Sequence, residues 1–158
     1  MNFSTITDRL LEILTDRKAD LINGLLERTL ALEAAYWRPH FSSQSLFIWR
    51  EGLRNVEHGG ISGAGLGTAA HGEIEGAATW IIAPYLRFTG AEETAAAELS
   101  KLAWNLLTVM AGYTRDVDNN FMACLLTGST VNYRQGGTEG GWYVGEEFSY
   151  SVSWDLTF

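Results

Sequence analysis

Three histidines, nineteen carboxylates and one cysteine are the side chains in this chain with the most obvious capacity for chemistry. His58 and His71 bracket a glycine-rich stretch, with Glu57 and Glu73 close to them; His40 stands apart. A zinc site needs ligands at defined spacings and a closed shell. These three histidines match no such spacing and would converge only if the glycine stretch folded back, so they read as exposed loop polarity. Glu73 and Glu75 fall on one face of an expected strand. Paired carboxylates work as acid and base when burial separates their pKa values. No neighbour of this pair implies burial, so it reads as a solvated face. Glu92-Glu93 and Glu146-Glu147 are adjacent pairs that point apart or into water. Asp116, Asp118, Asn119 and Asn120 are similar to a calcium loop but lack its glycine and its late glutamate; a turn after a helix accounts for them. Cys124 lies among Met122, Ala123, Leu125 and Leu126. A reactive thiolate needs an electropositive setting, and this one reads as a small buried hydrophobe. Gly63, Gly65 and Gly67 miss the dinucleotide-binding spacing, and a strand, not a helix, is expected to follow them. No catalytic centre, metal site or cofactor is expected from these groups.

Composition narrows the classes further. A length of 158 residues fits a single domain over residues 1–158, and an apolar fraction of 46% supplies a core. The net charge is −8, with the lysines and arginines scattered. Sequence-independent binding to nucleic acid needs basic patches that displace counterions, so it is not expected. An acidic surface can still face DNA without sticking to it. One cysteine excludes an intrachain disulfide. No stretch approaches the ~20 apolar residues of a membrane span, and the N-terminus lacks a basic start followed by an apolar core. The expectation is a protein that stays in the cytoplasm where it is made, or enters an assembly there.

The elements that position these residues follow from periodicity. Ser4 or Thr5 is placed to cap a first helix, with Ile6, Leu10, Ile13 and Leu14 on one face. Leu21, Leu25, Leu26 and Leu30 continue the spacing past Asn23-Gly24. The reading is one bent helix, or two end to end, from Thr5 to Ala34. Leu46-Phe47-Ile48-Trp49 is too short for a buried helix and reads as a strand, apolar on both faces, for burial on both sides or for an interface. Residues 56–72 hold six glycines and read as a long loop or arm; loops of that length are usually functional or disordered. Glu73 to Tyr85 reads as a strand ended by Pro84. A helix from Ala91 to Ala111 follows, capped by Thr89 and stopped by a left-handed Gly112. Phe121 to Leu126 is open between helix and strand. Gly128 to Arg134 reads as a strand, then comes a glycine-rich turn. The chain closes with Phe148, Tyr150, Val152, Trp154, Leu156 and Phe158 alternating with polar residues, a strand with one buried face. The last two strands are expected to form a hairpin. The order is helix, strand, strand, helix, strand, strand. This predicts an α+β fold with a mainly antiparallel sheet and helices packed on one face. Most of the six tryptophans are expected in the core, with Trp142 beside the turn exposed.

The stretch from Gly72 to Phe158 resembles the tail terminator proteins of long-tailed bacteriophages. The likeness lies in Gly72-Glu-Ile-Glu-Gly-Ala-Ala-Thr-Trp-Ile-Ile-Ala-Pro84, the amphipathic helix, Val131-Asn-Tyr-Arg134, the glycine turn with Trp142, and the terminal Tyr150-Ser-Val-Ser-Trp-Asp-Leu-Thr-Phe158. The long first helix and the 56–72 segment depart from that family. The resemblance implies a hexameric ring that caps the tail tube, stops its polymerisation and joins tail to head, without enzymatic activity. Implied partners are copies of the chain itself, the tail tube protein, a head-tail connector, and DNA passing through the lumen without specific binding. The implied location is the virion tail, assembled in the host cytoplasm.

Ring subunits need edges that pair with neighbours, joined head to tail. Leu46, Phe47, Ile48, Trp49 and Trp142 are the expected contact residues. Glu73, Glu75, Glu139, Glu146 and Glu147 are the expected lumen-facing carboxylates. Two other readings stay open: another head-tail connector subunit, or a small-molecule enzyme or binder of cone-shaped α+β fold with aromatics lining a pocket. The latter requires an enclosed cavity holding a polar cluster such as His58, His71 or Asp116.

Overall fold

The computed structural model describes residues 2–26, 29–35, 44–63, 70–88, 91–114, 123–135 and 142–157. Helix α1 spans Phe3–Asp16 and buries Ile6, Leu10, Ile13 and Leu14, the stripe that the spacing predicts. Its cap is Asn2, two or three residues before the expected Ser4 or Thr5. The Asn2 side chain accepts from the Thr5 amide at 3.0 Å, and the Thr5 hydroxyl accepts from the Asn2 amide at 3.4 Å. Two first-turn donors are thereby satisfied reciprocally.

The helical spacing beyond Arg17 misled the sequence reading. Helix α2 covers only Lys18–Leu21, and Gly24 takes φ +78°, a conformation that ends any helix there. Leu25 and Leu30 are buried without being helical. Residues Ala31–Ala34 then form strand β1, parallel to the next strand, with Ala31 opposite Ser45. The order is therefore α1, α2, β1, β2, β3, α3, β4, β5, with one more helix and one more strand than expected.

Strands β2 (Ser45–Ser62) and β3 (His71–Phe88) form a long antiparallel hairpin. The glycine-rich segment read as a loop is strand on both of its flanks, through Ser62 and from His71. Its middle, 64–69, lies outside the described residues. The pairing there tolerates glycine because the hairpin is bulged, with register shifts between Arg50 and Gly52, Arg54 and Glu57, and Gly59 and Ser62. Asn55 lies at the second bulge with φ +51°, a conformation asparagine tolerates better than most residues. Pro84 does not end β3. It pairs with Leu46 on one side, and the ladder to β5 lapses at Ala83 and Pro84 before resuming at Tyr85, as a residue without an N–H requires.

Helix α3 (Glu92–Ala111) begins at Ala91 without a side-chain cap; Thr89 lies outside the described residues. It ends at Gly112, which is right-handed at φ −78°, not left-handed as expected. Strands β4 (Cys124–Gln135) and β5 (Trp142–Thr157) pair antiparallel, the hairpin that the alternation predicts, and β4 begins early enough to include Cys124. The sheet order is β1-β2-β3-β5-β4.

Alternation gives the sheet two faces. Ile48, Trp80, Ile82, Phe148, Tyr150, Val152 and Trp154 join the α1 and α3 stripes in one core. On the other face Phe47, Trp49, Ile81, Ala83 and Tyr85 form a smaller buried cluster with Ala35 packed against it and no helical residue in it. Each large side chain so buried contributes about 1.5–3 kcal/mol relative to exposure. One polar bond ties helix to sheet: Trp80 Nε1 donates to Thr7 Oγ1 at 2.9 Å. Glu98, a carboxylate only 2% exposed, ties α3 to the turn after α2 by accepting from the Leu26 amide at 2.9 Å and from Lys101 Nζ at 2.8 Å.

Candidate functional site

The register of the β2–β3 hairpin and of β5 sets three carboxylates in one row. Glu57 stands opposite Glu75, and Glu75 stands opposite Asp155 on the next strand. Directly opposed side chains have Cβ atoms roughly 4.5–5.5 Å apart. Glu73, two residues along β3, extends the patch on the same face. All four are exposed. Among the described residues none of their side chains enters an ion pair or a hydrogen bond. Glu57, Glu75 and Asp155 line an open depression with Asn55, Gly76, Ala77, Ser153 and Trp154. Three like charges in register oppose the pairing of their own strands, so the local fold is not what they serve.

The predicted acidic set divides in the structure. Glu73 and Glu75 lie together as expected. Glu146 and Glu147 sit at the other end of β5, near Gly145 opposite Tyr85, and alternate to opposite faces. Glu146 accepts from Ser129 Oγ at 2.5 Å, and Glu147 accepts from Asn132 Nδ2 at 3.3 Å. Glu139 lies outside the described residues. Glu57 falls in the stretch that reads as a loop, and Asp155 on a last strand expected to pair with β4, so no expected register places either beside Glu75.

The expected contact strand is buried. Leu46, Phe47, Ile48 and Trp49 are at most 5% exposed, two in each apolar cluster. Of the two meanings of a strand apolar on both faces, burial on both sides is the one found. Trp142 pairs through its backbone with Phe88 and Gln135; its side chain lies outside the described residues.

Exposed apolar surface occurs elsewhere. Trp104 is 72% exposed on the outer side of α3. Leu53, Val56 and Ile61 on β2 and Leu125, Leu126 and Val131 on β4 are each between 43% and 53% exposed. Beyond Ile48 the outer edge of β2 carries no β1 partner, and β4 is the last strand on the opposite side.

Among the described residues the histidines and the cysteine do not converge. His58 is opposite Ile74, and His71 is three residues from Ile74 on β3, so the two imidazoles leave the sheet on opposite faces. His40 and Asp116 lie outside the described residues. Among the described residues no group of three or more His, Cys, Asp or Glu is placed to hold a metal ion. Cys124 is buried, and burial pushes its thiol up to about 12. The adjacent Tyr150 hydroxyl is pushed up too, first by burial and then by the Cys124 charge. A pocket of roughly 190 Å³ opens between α1 and the end of β5, lined by Asn2, Phe3, Ile6, Trp154, Asp155 and Leu156. It is smaller than the ~300–1,000 Å³ usual for small-molecule sites. No helix among the described residues is long and apolar enough to cross a membrane. Compared with known families and curated proteins, the chain matches no family model and no curated sequence.

Proposed function

We propose that the chain is a structural virion subunit of the tail-terminator kind. Copies form a ring that caps the tail tube, stops its polymerisation and joins tail to head, and no reaction is catalysed. On this reading the partners are further copies of the chain, the tail tube protein, a head-tail connector, and DNA passing through the lumen without specific binding. The location is the virion tail, assembled in the host cytoplasm.

The observation that carries the reading is the row Glu57, Glu75 and Asp155 with Glu73 beside it. A surface that keeps unpaired carboxylates in register at a cost to its own sheet suits a wall past which a polyanion must slide. Repulsion there acts over roughly a Debye length, about 8 Å at physiological salt, enough to keep a duplex from adhering. The α+β architecture with a terminal β4–β5 hairpin, the part that carries the sequence resemblance, supports the same reading. The small-molecule reading draws no support from His58 and His71, which diverge.

Negative-stain imaging tests the proposal. Purified protein is expected to form rings, and particles assembled without it are expected to carry tails of uncontrolled length. Monomers at assembly concentrations together with normal tails would refute it. The lumen assignment has its own test: Glu57→Lys with Glu75→Lys is expected to leave ring size unchanged and to slow DNA exit. Unchanged DNA delivery from particles holding the variant ring removes the carboxylates from the lumen.

A further inference from the structure

We infer that β4 of one copy adds to the open outer edge of β2 in the next copy, so that one antiparallel sheet continues from subunit to subunit. The inference rests on the ring reading and names the surfaces that build it.

Nine large apolar side chains stay exposed among the described residues, and six of them lie on these two edges: Leu53, Val56 and Ile61 on β2, and Leu125, Leu126 and Val131 on β4. The open lengths match. β4 has 12 residues, and in β2 the 13 from Arg50 to Ser62 lie beyond the ladder with β1 among the described residues. From Cys124 to Tyr133 β4 contains no charged residue and no proline. Protein edges are normally guarded by such residues or by bulges. The one irregularity is at Thr127, whose hydroxyl donates to the Ser149 carbonyl at 3.0 Å. Among the described residues the entry to the strand is covered by the bond from the Cys124 amide to the Thr114 carbonyl at 2.8 Å.

The β2 edge is different in kind. It carries Arg50, Glu51, Arg54 and Glu57 and three register shifts. Two β2 edges brought together would meet bulge against bulge. An uncharged β4 meets this edge without like-charge conflict, which matters between copies that each carry −8. Direction also fits. β2 and β5 both run opposite to β3, and β4 runs opposite to β5. A rotation about an axis along the strands therefore presents β4 antiparallel to the next β2. Different edges on opposite sides of the protomer make a head-to-tail contact, the kind that closes rings. The two open stretches lie at different heights along the sheet. Pairing them shifts each copy along the strand direction, and a sheet closed with such a stagger has tilted strands.

The competing occupant of the β4 edge is a second β4 about a two-fold axis, and crosslinking separates the two. Ser129→Cys and Val56→Cys are made singly and together, on exposed positions, and treated with a flexible bismaleimide. Buried Cys124 serves as the unreactive internal control. The double variant is expected to give a ladder of covalent oligomers ending at the ring, and neither single variant is expected to crosslink. Dimers from Ser129→Cys alone would show β4 on β4 and overturn the inference. In parallel, Leu125→Lys with Val131→Lys is expected to yield folded monomers with an unchanged melting temperature. Thr130→Lys serves as the milder substitution should the double variant misfold. Rings that persist in these variants, with no ladder from the cysteine pair, overturn the edge assignment and leave the ring reading standing. Monomers from the unmodified chain overturn both.

Discussion

Glu98 is the most informative residue to remove, because one buried carboxylate joins two elements that the sequence does not connect. It sits on the buried side of α3, accepts the Leu26 amide and holds Lys101 Nζ. Asn105, two turns further, donates to the Leu21 and Asn23 carbonyls, each at 2.9 Å. Together they fix the turn after α2 against α3. Glu98→Ala loses a hydrogen bond to a charged acceptor, about 1.5–3 kcal/mol, and leaves the Leu26 amide without its partner. The Lys101 pair adds little, because Lys101 is 51% exposed and half-solvated pairs contribute ~0–1 kcal/mol. The expected total is about 2–3 kcal/mol. At ~2–4 °C per kcal/mol for a domain of this size, the melting temperature falls by roughly 5–10 °C. Glu98→Gln, which keeps an acceptor, is expected to cost less than half as much, and Lys101→Ala under 1 kcal/mol. The pH dependence has a definite sign. Burial pushes the Glu98 carboxyl up, but the bonds from Lys101 and Leu26 and the Lys101 charge outweigh it, and the group settles below the usual carboxylate range. Its contribution is therefore present above the unfolded-state pKa, near 4.5, and is lost as pH falls through the lower folded value. Thermal melts followed by circular dichroism from pH 3 to 8 measure both effects. A Lys101→Ala cost equal to that of Glu98→Ala, or a wild-type advantage over Glu98→Gln that grows in acid, would refute this account.

Four further outcomes are expected. Thr7→Val leaves the buried Trp80 indole N–H unpaired and should cost about 1–3 kcal/mol in denaturant unfolding, whereas Thr7→Ser should cost less. Gly145→Ala drives its new methyl into the ring of Tyr85, which is 5% exposed and cannot swing away. Overpacking of that kind costs about 1–3 kcal/mol, and Tyr85→Leu in the same chain should recover part of it in chemical denaturation. Cys124 should resist thiol reagents in the folded protein at pH 8 and react on unfolding. Its raised pKa means that the unfolded chain ionises first, so its contribution to stability declines from about pH 9 towards about 12. Glu75→Gln relieves repulsion from both Glu57 and Asp155, so it should raise the melting temperature at low salt, with the gain shrinking as salt screens the row.

The second half of the fold was legible in the sequence and the first half was not, for a physical reason. β5 has one wet face and one dry one, so its alternation runs unbroken from Phe148 to Trp154, and α3 carries an apolar stripe on a helical period. Between Leu21 and Leu30 the spacing is equally helical, yet Leu25 and Leu30 are buried from a turn and a connection. Burial of those leucines in the α1–α3 core, and ladder bonds to β2, override local propensity there. The β2–β3 hairpin was hidden by its glycines and bulges, because each register shift breaks the two-residue period by which a strand is recognised. Without that hairpin Glu57 has no register beside Glu75, and nothing in the sequence pairs the last strand with β3 to bring Asp155 there. The edge surfaces were hidden for another reason: no periodicity distinguishes a strand in mid-sheet from one on the rim.

The features that weaken the isolated protomer lie at one end of its sheet and along its two outer strands, and the ring reading gives each a use. Like charges oppose one another across β2, β3 and β5 at one end of the sheet. Six half-exposed apolar side chains line the two unpaired edges. Trp154 buries its indole Nε1 without a partner among the described residues, beside the apolar pocket at the start of α1. A monomer under selection for stability alone has easy remedies for all of these: a lysine in the carboxylate row, a charge on β4, an acceptor for the indole. Each remedy would obstruct something a ring subunit needs, an unguarded edge for its neighbour or a repulsive wall for a passing polyanion. The interior around Ile48, Trp80 and Leu102 is closely filled, yet it too buries a polar atom, the Tyr150 hydroxyl, without a partner among the described residues. On the ring reading proposed above, the outer strands and the carboxylate row are the surfaces that a neighbour and a passing polyanion would meet.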